Sequence, residues 1–304
     1  MSHKIQVCSA PMAGVSDYPF RQMLRLFGNQ PLFSEMVSVE TLVHAHPKTL
    51  KMLTFAKERN IIVQLVGANP DNMGKAAEII ADLGVTAIDI NMGCPVKKLI
   101  QNHSGAMLMQ DQDLACRLVE SVKVRTSLPL SVKTRLGWTD KKDILSFGPR
   151  LVAAGADRIE IHARTKEMGY AGKADWSVLE KLKLSVPVVV NGDIVNQRTA
   201  IQAIQLSGAS SVMVGRALLG HPWRLTEIET GQPQKIDMPD LVLQHLDLLL
   251  SYYGHAGLYV ARKHLAWYAS HKKGVAKWRE KMYLEEDEGH LRRLIQDFWK
   301  GEGV

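Results

Sequence analysis

The sequence predicts a (β/α)₈ barrel followed by a small all-helical region. Short β-branched runs alternate with amphipathic stretches through about the first 220 residues, no Gly-rich GxGxxG turn follows the first run, and polar residues collect at the C-terminal ends of runs that should be apolar. The alternation specifies a parallel sheet covered on both faces by helices. The missing turn removes the usual fingerprint of an open dinucleotide-binding sheet. Polar strand ends are where barrel enzymes carry their active sites.

Taken in order, the strand runs cover residues 6–10, 32–37, 61–66, 87–91, 130–134, 158–162, 186–191 and 211–214. Helical patterns such as 72–83, 113–124, 177–183 and 197–206 lie between them. Residues 230–239 carry Gly, two Pro and polar side chains, the composition of a linker. Beyond it Leu, Val and Tyr recur at helical spacing over 241–253, Gly254 and Gly257 break that pattern, and it resumes over 258–271. The expected division is a barrel over residues 1–232 and a helical domain over 238–304.

Composition sets the limits of function. At 46% hydrophobic and 23% charged residues the chain has a full core and is not disordered. No apolar run approaches the roughly 18 residues of a membrane span, and residues 1–10 lack a secretory apolar stretch, so a cytoplasmic protein without membrane contact is expected. Three cysteines without CxxC or Cys/His spacing give neither a disulfide framework nor a metal site. A net charge of +7 suits a polyanionic partner.

Gln64 interrupts the third run, Asp89 and Asn91 the fourth, Lys133 and Arg135 the fifth, Glu160 and His162 the sixth, and Asn191 ends the seventh. Side chains alternate across a strand, so Asp89 shares a face with Asn91, and Lys133 with Arg135. If their apolar neighbours face the helices, the polar set converges in the barrel mouth. A lysine leaving a β-branched strand calls for an anionic partner or water. Asn191-Gly192-Asp193 and Gly215-Arg216 follow the seventh and eighth runs, where barrels bind phosphate. Cys94, in Asn91-Met92-Gly93-Cys94-Pro95, stands on a constrained loop after the fourth run, whereas Cys8 and Cys116 sit in apolar patterns. Its thiol has the chemistry of a nucleophile or a general acid.

These residues resemble the tRNA-dihydrouridine synthases, flavoproteins with an FMN-binding barrel and a helical tRNA-binding domain. The resemblance rests on 10–17 (APMAGVSD), 89–95 (DINMGCP), 162–165 (HART), 191–193 (NGD) and 214–216 (VGR). In the tail, Ala261-Arg262-Lys263-His264 with Trp267-Tyr268 is similar to bacterial B-type members, and 166–170 (KEMGY) looks closer to C-type members. Carried over, it implies FMN contacts at Pro11, Met12, Ala13, Gln64, Lys133, His162, Asn191, Gly192, Asp193, Gly215 and Arg216. It implies Cys94 as proton donor to C5 of uracil, with hydride to C6 from FMN reduced by NADPH or NADH. Asn91, Arg135, Arg164 and Tyr170 are candidates to hold the base, and Arg262, Lys263, Lys272 and Lys273 to hold the tRNA. A monomer without a protein partner is expected.

The rival is an FMN barrel acting on a free pyrimidine, such as a dihydroorotate dehydrogenase. From Arg262 to Lys281 seven Lys/Arg face a single acid, a net +6, with Trp267, Tyr268 and Trp278 interleaved. A free-pyrimidine enzyme needs no such tail. A basic stretch with aromatics can grip phosphates and stack bases.

Overall fold

The computed structural model describes residues 4–53 and 58–301; residues 1–3 and 302–304, the ends of the two expected regions, lie outside the described residues, as do 54–57. Eight strands form one parallel sheet: β1 (Val7–Ser9), β2 (Leu32–Ser38), β3 (Ile61–Val66), β4 (Ala87–Asn91), β5 (Leu130–Arg135), β6 (Arg158–His162), β7 (Val188–Asn191) and β8 (Ser211–Val214). The ladder order is β1-β8-β7-β6-β5-β4-β3-β2. Ser9 closes the remaining seam: its N–H donates to the Pro31 carbonyl at 3.1 Å and its hydroxyl accepts from the Phe33 N–H at 3.0 Å. The barrel is thus nearly closed.

Alternation along each strand separates two environments. Val63, Leu65, Ile88, Ile90, Val132, Ile159 and Ile161 pack outward into the core shared with the helices. Replacing one such isoleucine by alanine removes about 2–5 kcal/mol, through lost transfer energy and the cavity left. Inside the barrel a smaller apolar plug, Cys8, Ala10, Phe33, Ile62, Ala87, Val189 and Met213, fills one layer. The polar residues flagged in the sequence occupy the rest of the inner face.

Local chemistry fixes the element ends. The helix Pro70–Ala81 starts with Pro at its first position and the Asn69 side chain accepting from Asn72 N. The helix Gln197–Ser207 has a capping box from Asn196 and Thr199 and stops at left-handed Gly208. Two expectations shift. β7 begins at Val188 rather than 186, because Pro187 has no N–H for the ladder. The helix expected over 177–183 is a short 3₁₀ turn, Trp176–Lys181, with Ser177 bonded to the Asp175 carboxylate at 2.7 Å.

The C-terminal helices Met238–Tyr253, Gly257–Tyr268, Val275–Leu284 and Glu288–Lys300 enclose a second core around Leu246, Leu249, Leu265, Trp278, Ile295 and Phe298. A 3₁₀ turn, Gly254–Ala256, separates the first two at the break expected there. This bundle meets the barrel at the first loop and at the segment after β2. Tyr253 donates to the Asp17 carboxylate at 2.9 Å, Tyr252 to the Lys51 carbonyl at 2.7 Å, and Lys263 to the Gly14 carbonyl. Among the described residues no helix is long and apolar enough to cross a membrane.

Candidate active site

The C-terminal ends of the strands surround a cavity of about 700 Å³. β1 and its loop contribute Ala10, Pro11, Met12 and Ala13; β4 and its loop Asn91, Gly93 and Cys94; β5 Lys133 and Arg135; β6 and its loop His162 and Tyr170. The β7 loop adds Asn191, Gly192 and Asp193, and the β8 loop Gly215 and Arg216. Most residues flagged in the sequence are therefore brought together. Gln64 and Arg164 are not on the cavity surface, and Arg262, Lys263, Lys272 and Lys273 belong to the helical region.

The thiol loop is built from below. Gln64 is wholly buried and accepts from the Asn91 amide at 2.8 Å; the Asn91 oxygen in turn accepts from the Gly93 and Cys94 N–H groups at 3.2 and 3.0 Å. Both ends of the Asn91 amide are engaged, so this side chain orients Cys94. Arg135, 3% exposed, donates to the Gly93, Thr165 and Gly169 carbonyls, tying the thiol loop to the loop after β6. It is the frame of the wall as well as part of its surface.

Arg164 is more deeply set. At 2% exposed it reaches both oxygens of Asp193 at 2.7–2.8 Å, the Ala171 and Gly172 carbonyls, and His162 Nε2 at 3.2 Å. That contact makes Nε2 the acceptor and leaves the ring proton on Nδ1. Burial, reinforced by Lys133, Arg135, Arg164 and Arg216, pushes the His162 imidazole down to about 2, so it is neutral at physiological pH. Asp193 also accepts from the Ala174 N–H at 2.8 Å, and these bonds hold its backbone at φ 56°. Gly192, at φ 113°, is required: a Cβ there would stand 2.9 Å from the His162 ring and 3.0 Å from Ala174.

Lys133 is the cation of the floor. Its ammonium donates to Asn191 Oδ1 at 3.3 Å, and burial, with Arg135 beside it, lowers it to about 8. At the rim Tyr170 is 61% exposed, with Arg216 and Arg135 4.8 and 5.8 Å from its ring centre. Arg216 is 57% exposed and 3.6 Å from Asp193. Met36, set against the Asn91 amide by a register shift in β2, lines the cavity too. A lone methionine in a strand run gives no sequence signal.

The donor set suits a flavin mononucleotide. A ring would meet a cation and neutral amide and imidazole groups, and a phosphate would meet Arg216 beside glycines where backbone can approach closely. The thiol lies on the opposite side of the same cavity lining from these loops. Cys8 offers no second thiol: burial pushes it up to about 12.

The basic stretch divides into buried, bonded and exposed side chains. Trp278 is 1% exposed and stacked on Phe298 at 4.5 Å in the second core, so it is not available to stack a base. The Tyr268 hydroxyl is hydrogen-bonded to His245 Nδ1 at 3.0 Å within the buried His245–His264 cluster. Lys263 lies against the Gly14 carbonyl and within the field of Asp17 and Glu35. Arg262 and Lys272 each bond a carbonyl, of Glu285 and Trp299, and Lys273 is exposed. Among the described residues these last three make no ion pair with a carboxylate.

Residues 8–300 match the family described as dihydrouridine synthase. The chain is 41% identical to a probable tRNA-dihydrouridine synthase of Rhodobacter capsulatus, covering 95% of this chain and 93% of that relative. It is 34% identical to tRNA-dihydrouridine synthase B of Xanthomonas axonopodis pv. citri, covering 97% and 92%. Among solved structures, histamine dehydrogenase from Rhizobium sp. 4-9 superposes with a TM-score of 0.56 at 13% identity, over 80% of this chain and 49% of that one. That likeness bears on the barrel fold alone.

Proposed function

The chain belongs to the dihydrouridine synthase family, and from that premise we propose that it reduces the C5–C6 double bond of uridines in tRNA with FMN and NADPH or NADH, in the cytoplasm and as a monomer. The observation that carries the reading is the convergence of Cys94, Lys133, His162 and the two glycine loops on one cavity. Bound FMN, once reduced, supplies the hydride for C6. Pro11, Met12, Ala13, Lys133, His162, Asn191, Gly192, Asp193, Gly215 and Arg216 would hold it, and Gln64 would act through Asn91.

The residues divide the remaining work. Lys133 holds positive charge where the reduced ring gains negative charge, in a site dry enough for that charge to count. His162 stays neutral and keeps a fixed hydrogen-bonding pattern. Cys94 gives its proton to C5, held at the cavity wall by Asn91 and Arg135. Tyr170 at the rim supplies a ring face for a uracil withdrawn from its stacked neighbours. Arg164 supports this arrangement from beneath by clamping the 171–172 backbone and Asp193. Arg262, Lys272 and Lys273 attract the tRNA backbone, while Lys263 fixes the helical region to the barrel loop.

The test is spectroscopic. Purified protein should be yellow, or bind added FMN stoichiometrically, and NADPH should bleach it. A protein that neither retains flavin nor binds it on titration contradicts the reading.

A further inference from the structure

The floor of the mouth contains more charge than the reaction above it uses. Asp89 and Glu160 are both wholly buried inside the barrel. Strand register sets Lys133 opposite Glu160, and Asp89 between Gln64 and Ser131. Asp89 accepts from Gln64 Nε2 at 2.6 Å on one oxygen and from Ser131 Oγ at 2.7 Å on the other. Glu160 accepts from Arg158 Nε at 2.5 Å on one oxygen, and its other oxygen is buried with no donor.

An orphaned buried carboxylate oxygen is costly, and a proton on its neighbour removes the cost. Register runs Asp89–Ser131–Arg158 and Lys133–Glu160 across β4, β5 and β6, so the two carboxyls belong to one buried cluster on the inner face. The groups facing the pair are Lys133 from β5, Arg158 from β6 and Cys8 from β1, with Arg135 beside Lys133. Two ionised carboxylates would cancel both Lys133 and Arg158 and leave the floor neutral. Two protonated ones would leave two half-buried cations with no counter-charge from the pair, and the lysine would shed its proton more readily.

We infer that Asp89 and Glu160 share one proton and together carry one negative charge, acting as positioning residues that keep Lys133 an ammonium at the cofactor face. Burial drives both carboxyls toward the protonated form and Lys133 toward the neutral one, and the shared charge opposes the second of these. The pair's single negative charge leaves the floor a net positive charge for the negative charge that a reduced flavin develops. The shared proton stands independently of the flavin; the role through Lys133 rests on the flavin reading.

The experiment has two parts. Infrared spectra of the full-length protein at pH 7 should show one buried protonated carboxyl, and the band should vanish in Asp89→Asn and equally in Glu160→Gln. A group protonated on its own account would survive in one of the two, and that outcome, or no such band in the unmutated protein, overturns the shared proton. In the second part, NMR of isotope-labelled lysine follows the titration of Lys133, assigned with Lys133→Met, in the Asp89→Asn/Glu160→Gln double variant. It should move down by about one pH unit or more relative to the single variants. An unmoved lysine overturns the counter-charge role even if both single variants behave as expected. Absence of FMN binding would remove the flavin reading while leaving the infrared result intact.

Discussion

The barrel mouth and the basic stretch of the helical region were both marked by charged residues in otherwise regular patterns, yet the structure treats them differently. In the mouth, Asn91, Lys133, His162 and Asn191 all reach one cavity. In the tail, seven cations within twenty residues disperse: one ties two regions together, others bond carbonyls, and the interleaved Trp278 is core. The difference lies in what secondary structure fixes. A strand has a period of two, so position along it decides the face, and a closed barrel gives every inner face one destination. A run of helices and turns has no such common focus.

The comparison can be broken most sharply at the thiol. Cys94→Ala should keep FMN and its reduction by NADPH while dihydrouridine formation falls by about 10²–10⁴-fold, the usual worth of a placed general acid. Rapid-mixing absorbance of the two half-reactions separates these. Near-normal oxidation of the reduced flavin by tRNA in the variant would remove the thiol from the mechanism.

Acid tests both regions together. His162 in the mouth and His245 and His264 at the junction are held neutral by burial, at about 2 for His162 and about 3 for His245. Their folded values lie below the unfolded value near 6.5, so stability is full above that pH and is lost as pH falls below it. Each such group reduces unfolding free energy by up to about 1.4 kcal/mol per pH unit between roughly pH 6 and pH 4, while the carboxyls of Asp17, Glu35, Asp89 and Glu160, raised by burial, act in the opposite sense. Denaturant melts across that range should therefore compare His162→Gln with the parent. The variant should lose about 1.4 kcal/mol less stability per pH unit, and an unchanged slope would mean that His162 is charged in the fold.

Arg164→Met probes the wall directly. Removing Arg164 leaves Asp193 with Arg216 and the Ala174 N–H and frees the 171–172 backbone, at about 1.5–3 kcal/mol of stability. FMN affinity should fall with it, whereas tRNA binding should change little. Equal loss of both would place Arg164 on the substrate instead. The smallest expected effect belongs to the tail. Lys272→Ala with Lys273→Ala should flatten the log–log salt dependence of tRNA binding by roughly 1.5 if each grips a phosphate. Should slope and affinity both stay unchanged, these lysines are a solvated face.

Legibility follows the same line. The eight strands and the mouth were readable because β-branched runs and their polar ends repeat with a fixed period. Gln64, Arg135 and Arg164 were readable as polar residues of the site but not as its support, because whether a side chain faces the cavity or lies beneath it depends on which loop crosses over it. The Asp89–Glu160 cluster spans β4 to β6 over the intervening β5, which no spacing in the sequence encodes. The start of β7 was obscured by Val186 ahead of Pro187, and the burial of Trp278 by a partner, Phe298, twenty residues further on.

The central claim is that this mouth reduces uridine in tRNA, and one measurement meets it directly. Unmodified tRNA transcript is incubated with the purified protein, FMN and NADPH, digested and read by mass spectrometry. The account predicts a gain of two hydrogens at discrete uridines, dependent on NADPH and lost with Cys94→Ala. Unaltered tRNA, with flavin bound and NADPH consumed, would contradict it.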